Sequence, residues 1–331
     1  MILITSVDEY LGYCISSHLA QSIPLRKELR LIYSNEKKPW LNNFANKGIE
    51  LCYLDDYMHP NQVSEVMRNV DQMILTLHHS HPDRVEQCKY LCKVAIRSGV
   101  RSILFLSHVG AQSPHHHALS DFGVIEDFLV KLGEEEMSYT ILRVDWIQQY
   151  FHHWAPEVEK TSLLKLPLSQ TSTICPVDMT DVCEAVMRLI GSDHEGQIYT
   201  LSGSEALTGN KLVQIMSLVT KYKEHRFQQV RLMDTEYYLK DLGHDIWFDE
   251  RLKKERSMIY RDPLEKELSY RLMAFDPPSR NQIHVFLDYF DWVEKTAGSI
   301  PTNEIQSLIH QKPKSIQEFF KENANTFKPK V

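Results

Sequence analysis

Apolar runs and amphipathic stretches alternate through the first half of the chain. Met1–Ser6, Leu29–Tyr33, Ile49–Leu54, Gln72–Leu77, Ser102–Ser107 and Tyr139–Arg143 are short and largely apolar, which predicts strands. Between them, Leu11–Ile23, Gln62–Asn69, Pro82–Ser98 and Phe122–Leu132 repeat apolar residues at helical spacing. The last two helices end at Gly99, suited to a left-handed C-terminal cap, and at Gly133. Apolar strands separated by helices predict right-handed βαβ units and a parallel sheet buried on both faces. The predicted class is therefore α/β, a doubly wound parallel sheet. Its ligands should sit at the carboxyl ends of the strands.

Beyond about residue 145 the pattern loosens. Ile198–Leu201 reads as a strand, and Asp178–Leu189 and Thr208–Thr220 as helices that open on a capping residue. Residues 234–297 are charged, aromatic-rich and helical, and Gln282–Val293 has clear helical spacing. The expected division is 1–150, with strand and helix returns from about 174–200, and a smaller, mostly helical, discontinuous α/β subdomain over 151–331. Tyr237, Tyr238, Trp247, Phe248, Tyr260, Tyr270, Phe275, Phe286, Tyr289, Phe290 and Trp292 read as its core, or as a lid over the cleft.

Charge narrows the function. The 331 residues carry 37 basic and 44 acidic side chains, a net −7, which disfavours direct nucleic-acid binding. No apolar stretch reaches the roughly 18 residues a membrane span needs. No basic segment precedes the first apolar run, so a cytoplasmic location, or a nuclear one in a eukaryote, is expected. The six cysteines are then expected to be reduced, with Cys88 and Cys92 as buried apolar residues.

The first turn is unusual for this class. A dinucleotide site places glycines between the first strand and helix, for the tight turn, the approach to the pyrophosphate and helix packing. There are only 12 glycines in the chain, and here Ser6 and Glu9 stand in the first two positions while Gly12 keeps the third. Ser6 and Glu9 have the spacing of a capping box, which would satisfy the amides a pyrophosphate uses. Asp8 and Glu9 add negative charge. The turn alone therefore predicts no dinucleotide, or weak NAD(P)(H) binding.

Several segments together resemble the NmrA-like family of atypical short-chain dehydrogenase/reductases, over nearly the whole chain. They are the first turn, Gly48-Ile49-Glu50 through Asp55, Ala95–Val100, Ser107, and Tyr139-Thr140-Ile141-Leu142-Arg143. Pro176-Val177-Asp178 with Asp181-Val182, Gly203–Thr208 and Lys312-Pro313 through Phe327 continue the match. The resemblance implies a Rossmann-like fold and either an NAD(P)H-dependent reductase of the isoflavone-reductase-like type or a non-catalytic sensor. Its type member binds dinucleotide and restrains a transcription factor by protein contact. The superfamily's Tyr-x-x-x-Lys pair falls on Ala118 and Phe122 here, and the second-strand arginine on Ser34, with Lys37 and Lys38 just beyond. A catalytically degenerate regulatory module is thus the leading expectation, with a protein partner such as a transcription regulator, or a small-molecule ligand, and a possible homodimer. An NAD(P)H-dependent oxidoreductase is the first alternative. A cofactor-independent isomerase or cyclase is the second.

The 16 histidines cluster after the strands: His78-His79-Ser80-His81, Ser107-His108, His115-His116-His117 and His152-His153. Exposed loops are the expectation for most of them, and no metal site is expected. His108, with Ser107, is the best candidate for acid/base chemistry. Ser6, Glu9, Gly12, Ser34, Lys37, His78 and Ser107 should line the cleft. Arg143 is expected to form a structural salt bridge, and Asp178 and Asp181 to cap and charge the start of their helix.

Overall fold

The computed structural model describes residues 1–34, 38–55, 57–79, 81–133, 137–191, 194–258, 271, 273–296 and 298–329. Lys37, Ser80, Tyr260 and Tyr270 lie outside the described residues, as does the side chain of Trp247.

Strands β1 (Ile2–Ile4), β2 (Leu29–Tyr33), β3 (Glu50–Tyr53), β4 (Gln72–Thr76), β5 (Ser102–His108), β6 (Ser138–Val144), β7 (Leu163–Leu166), β8 (Gln197–Leu201) and β9 (Arg226–Gln229) alternate with helices. Seven of them form one sheet in the order β3-β2-β1-β4-β5-β6-β8, and every pairing in it is parallel. β7 and β9 pair in a separate two-stranded sheet. The chain is thus a Rossmann-like α/β fold with a helical C-terminal region.

Side-chain alternation explains the unbroken apolar strands. Ile2 and Ile4 enter one core while Leu3 enters the other, because successive side chains leave opposite faces of the sheet. α1 (Tyr10–Leu19), α2 (Asn42–Asn46), α3 (Pro60–Val66), α4 (Arg84–Arg97) and α5 (His117–Gly133) connect the first six strands. α1 is shorter than its apolar pattern predicts, since a 3-10 turn begins at Pro24. α6 (Ala155–Thr161), α7 (Met179–Leu189) and α8 (Gly209–Thr220) follow β6. The two predicted caps form: Asp178 accepts from Thr180 N at 2.8 Å, and Thr208 from Lys211 N at 3.2 Å.

The C-terminal helices are α9 (Leu232–Asp241), α10 (Ile246–Met258), α11 (Arg280–Lys295), α12 (Glu304–Ile309) and α13 (Ile316–Glu322). α11 has two buried faces. Phe286, Tyr289 and Phe290 pack around Trp146, with ring centroids 4.9, 5.4 and 4.8 Å away. Val285 enters the other core, and Trp292 packs against both. Phe248, Phe275, Phe286, Tyr289 and Phe290 are therefore core, whereas Tyr237 is exposed, and α11 also covers the carboxyl edge of the sheet.

Candidate functional site: the cleft at the first turn

β1 has β2 on one side and β4 on the other, so chain order reverses at its carboxyl end. That switch point is where open α/β sheets bind ligands. Below it, Thr5 and Thr76 clasp β1 to β4: Thr76 N donates to Thr5 Oγ1 at 2.9 Å and Thr76 Oγ1 to Thr5 O at 3.0 Å. Above the clasp, Ser6 adopts a left-handed φ of 53°, a conformation that costs a non-glycine residue about 1–2 kcal/mol. Gly12 is required for packing: a Cβ there would lie 2.3 Å from Ser6 O and 2.7 Å from Thr5 O.

The expected capping box does not form. α1 begins at Tyr10, so its N-cap is Glu9 itself, and no side chain caps it. Ser6 lies outside the helix, with its Oγ 3.5 Å from Thr76 O. The Glu9 carboxylate crosses to the loop after β4, accepting from His79 N at 2.8 Å and pairing with His78 Nδ1 at 3.1 Å. Asp8 Oδ2 accepts from Ser34 N at 3.1 Å, and Ser34 Oγ lies 2.8 Å from His78 Nε2. A ring of polar groups thus joins the carboxyl ends of β1, β2 and β4. Burial alone would lower the His78 pKa, but the charges of Glu9 and Asp8 outweigh it and hold the pKa above its ordinary value.

Beside this ring is a cavity of about 200 Å³, lined by Asp8, Glu9, Gly12, Lys38, Leu77, His79, Tyr150, His153, Phe275 and Gln282, among others. Ser6, Ser34 and His78 stand behind its acidic wall, while Ser107 and His108 lie elsewhere. Lys38 lies 4.0 Å from Asp276 and 5.6 Å from the Trp40 ring. Burial pushes the His79 imidazole down to about 3 and His153 down to about 4, so both are neutral near pH 7.

Ser107 and His108 belong to a second cluster, at the ends of β5 and β6. Ser107 Oγ donates to Glu126 Oε1 at 2.5 Å, and Gln112 Nε2 to Glu126 Oε2 at 2.8 Å. Arg143 donates to the same carboxylate, at 2.6 Å through Nη2 and 3.0 Å through Nε. Arg143 is thus in the salt bridge expected of it. Glu126 escaped the sequence reading as its partner; the available signal was one carboxylate among Phe122, Ile125 and Leu129. His108 Nδ1 lies 2.7 Å from Val109 O, so it carries the hydrogen, and burial lowers the pKa to about 4. Phe122 packs on His108, and Ala118 uses its backbone N–H on Asp288 Oδ2 at 2.6 Å. Neither position of the Tyr-Lys pair carries a side chain that can move a proton.

The expectation of exposed histidine loops fails at several positions. His78, His116, His152 and His153 are buried. The reason is tertiary: α11 and its neighbours cover this edge. His116 Nε2 lies 3.1 Å from Asp291, Tyr289 donates to Asp145 at 2.7 Å, and Ser279 and Asn281 donate to the carbonyls of His79 and His81, both at 3.3 Å. Among the described residues, no group of three or more His, Cys, Asp or Glu side chains could hold a metal ion, and no helix is long and apolar enough to cross a membrane.

No family model matches the chain. A reductase of Streptomyces griseus that acts on (4-alkanoyl-5-oxo-2,5-dihydrofuran-3-yl)methyl phosphate is 24% identical over 229 residues, 66% of this chain and 73% of its own. The triphenylmethane reductase of Citrobacter sp., solved with NADP(H), superposes with a TM-score of 0.74 at 18% identity, covering 98% of this chain and 100% of its own. An NADPH-dependent quinone oxidoreductase of Escherichia coli, solved with NADPH, gives 0.73 at 19% identity over 98% of this chain and 99% of its own. A nucleoside-diphosphate-sugar epimerase of Staphylococcus aureus gives 0.69 at 20% identity, covering 97% and 99%. These likenesses stand against the expectation of no dinucleotide: end to end, this architecture holds NADP(H) in the first and NADPH in the second. The chain shares the fold of NAD(P)-binding Rossmann-type reductases and epimerases.

Proposed function

We propose that the chain is an NAD(P)H-dependent reductase of the NmrA-like branch, acting on a small-molecule acceptor in the cleft at the first turn. One observation supports this reading: where a dinucleotide site has its glycines, this turn has a left-handed residue and a helix packed closely on β1, although two of the glycines are gone. Ser6 holds the left-handed conformation, and Gly12 holds the helix against β1 without room for a Cβ. The cavity opens beside that turn at the carboxyl ends of β1 and β4. The reductase relative in Streptomyces griseus supports the chemistry.

The amides at the start of α1 would hold the diphosphate, with Ser34 at the ribose side. For this, the Glu9 carboxylate must leave both His79 N and the His78 ring. When bound, the nicotinamide supplies a hydride. The chain's own part is to position the acceptor and provide a proton. Tyr150 lines the cavity and bonds Gln282, and burial holds its hydroxyl pKa well above the usual phenol value, so it stays protonated. His79 and His153 are neutral there and serve as walls rather than acids.

The test is steady-state oxidation of NADH and NADPH with a panel of electron-poor acceptors, quinones first. Turnover with at least one acceptor, reduced in Tyr150→Phe, is the expected result. Bound cofactor that no acceptor oxidises would count against the reductase reading.

A further inference from the structure

Which of the two nicotinamide cofactors a Rossmann cleft takes is decided at the ribose edge. A carboxylate near the end of the second strand accepts from the ribose 2′-hydroxyl, whereas a cation there accommodates a 2′-phosphate. In this chain β2 ends at Tyr33 and the next residue is Ser34, which brings no charge. The carboxylate arrives from the other side. Asp8, from the first turn, accepts from Ser34 N at 3.1 Å through Oδ2, with Ser34 Oγ 3.5 Å from the same oxygen. The Asp8 side chain is fully buried, so the charge has little freedom to move away. His78 Nε2 stands 3.8 Å from that oxygen, and the Glu9 carboxylate is on the far nitrogen of the same ring. Among the described residues at this edge, two carboxylates and one histidine leave a net charge of −1 with His78 protonated and −2 with it neutral. Lys38 also lines the cavity, but it lies beside Asp276 and over Trp40.

Resting on the dinucleotide reading above, we propose that Asp8 is a specificity-determining residue that makes the cleft select NADH over NADPH. A 2′-phosphate at the Ser34 edge would set up to two negative charges beside the buried Asp8 carboxylate. A 2′-hydroxyl brings no charge and can donate. The preference separates this chain from the Citrobacter and Escherichia coli proteins of the same fold, which were solved with NADP(H) and NADPH.

The experiment is calorimetric titration of the full chain with NADH and with NADPH at one ionic strength. Wild type should bind NADH tighter by roughly tenfold, the size of one unfavourable charge contact in a largely solvated cleft. Asp8→Asn keeps an oxygen for Ser34 and should close most of that gap by tightening NADPH. Lys38→Ala should change both affinities alike. Equal affinities in wild type, a preference for NADPH, or an unchanged ratio in Asp8→Asn would overturn the assignment while leaving dinucleotide binding intact. Binding of neither cofactor would overturn the dinucleotide reading and this inference together. If Asp8→Asn does not fold, the wild-type ratio decides alone.

Discussion

Glu126 offers a strong test of how the second cluster is held. Its carboxylate is 1% exposed and accepts from Ser107, Gln112 and Arg143, at distances from 2.5 to 3.2 Å. Glu126→Ala removes every one of these acceptors and leaves a guanidinium without its counter-charge. Breaking a buried pair costs about 3–5 kcal/mol. The Arg143 side chain is 28% exposed, so water recovers part of that loss and the lower end applies, about 3 kcal/mol. The stranded Ser107 hydroxyl adds about 1 kcal/mol. The sum, about 4 kcal/mol, is a large share of the roughly 5–15 kcal/mol that holds a domain folded. The double variant Glu126→Ala, Arg143→Met should recover about 1–2 kcal/mol, because no unpaired charge remains. Urea unfolding followed by circular dichroism measures both, provided the slope against denaturant is unchanged. A loss below about 1 kcal/mol in the single variant would refute the buried-pair argument.

Three further outcomes follow from the same geometry. Gly12→Ala places a methyl 2.3 Å from the Ser6 carbonyl oxygen, and backbone is the obstacle, so a stability loss of at least about 2 kcal/mol and loss of dinucleotide binding are expected; a neutral substitution would contradict the close approach of α1 to β1. His78 has a raised pKa in the folded state, so its contribution is complete below the unfolded pKa of about 6.5 and fades as pH rises through the folded value. Unfolding free energy of wild type minus His78→Gln should therefore shrink above that point, and a difference that grows with pH would reverse the sign. Ser107→Ala should leave any reductase turnover within about twofold, because the hydroxyl is committed as a donor to Glu126; a large fall in kcat would make Ser107 a participant.

The sheet was legible because its strands are apolar on both sides, as Ile2, Leu3 and Ile4 show by entering two different cores. Helix caps at Asp178 and Thr208 were legible because the donor sits two or three residues from the acceptor. Ser6 and Glu9 satisfy the same spacing rule and still make no box. The clasp of Thr5 on Thr76 and the left-handed Ser6 delay the helix to Tyr10, and no local pattern encodes that. Glu126 and Arg143 are 17 residues apart on a helix and a strand, and Ala118 and Asp288 are 170 apart. Such pairs depend on how elements dock. The burial of His116, His152 and His153 has the same origin, since their covers come from residues 275 to 327. The glycine shortage in the first turn is visible in the sequence, but the left-handed conformation that Ser6 adopts there is not, since serine does not favour it.

We propose that the cleft beside Ser6–Gly12 takes a nicotinamide dinucleotide. Calorimetric titration of the wild-type chain with NADH tests it most directly, with Gly12→Val as the control that fills the turn. One saturable site per chain is expected, with Kd below about 1 mM, the upper end of ordinary enzyme affinities, abolished in a folded Gly12→Val protein. No saturable binding by wild type, or equal binding by the valine variant, would contradict it.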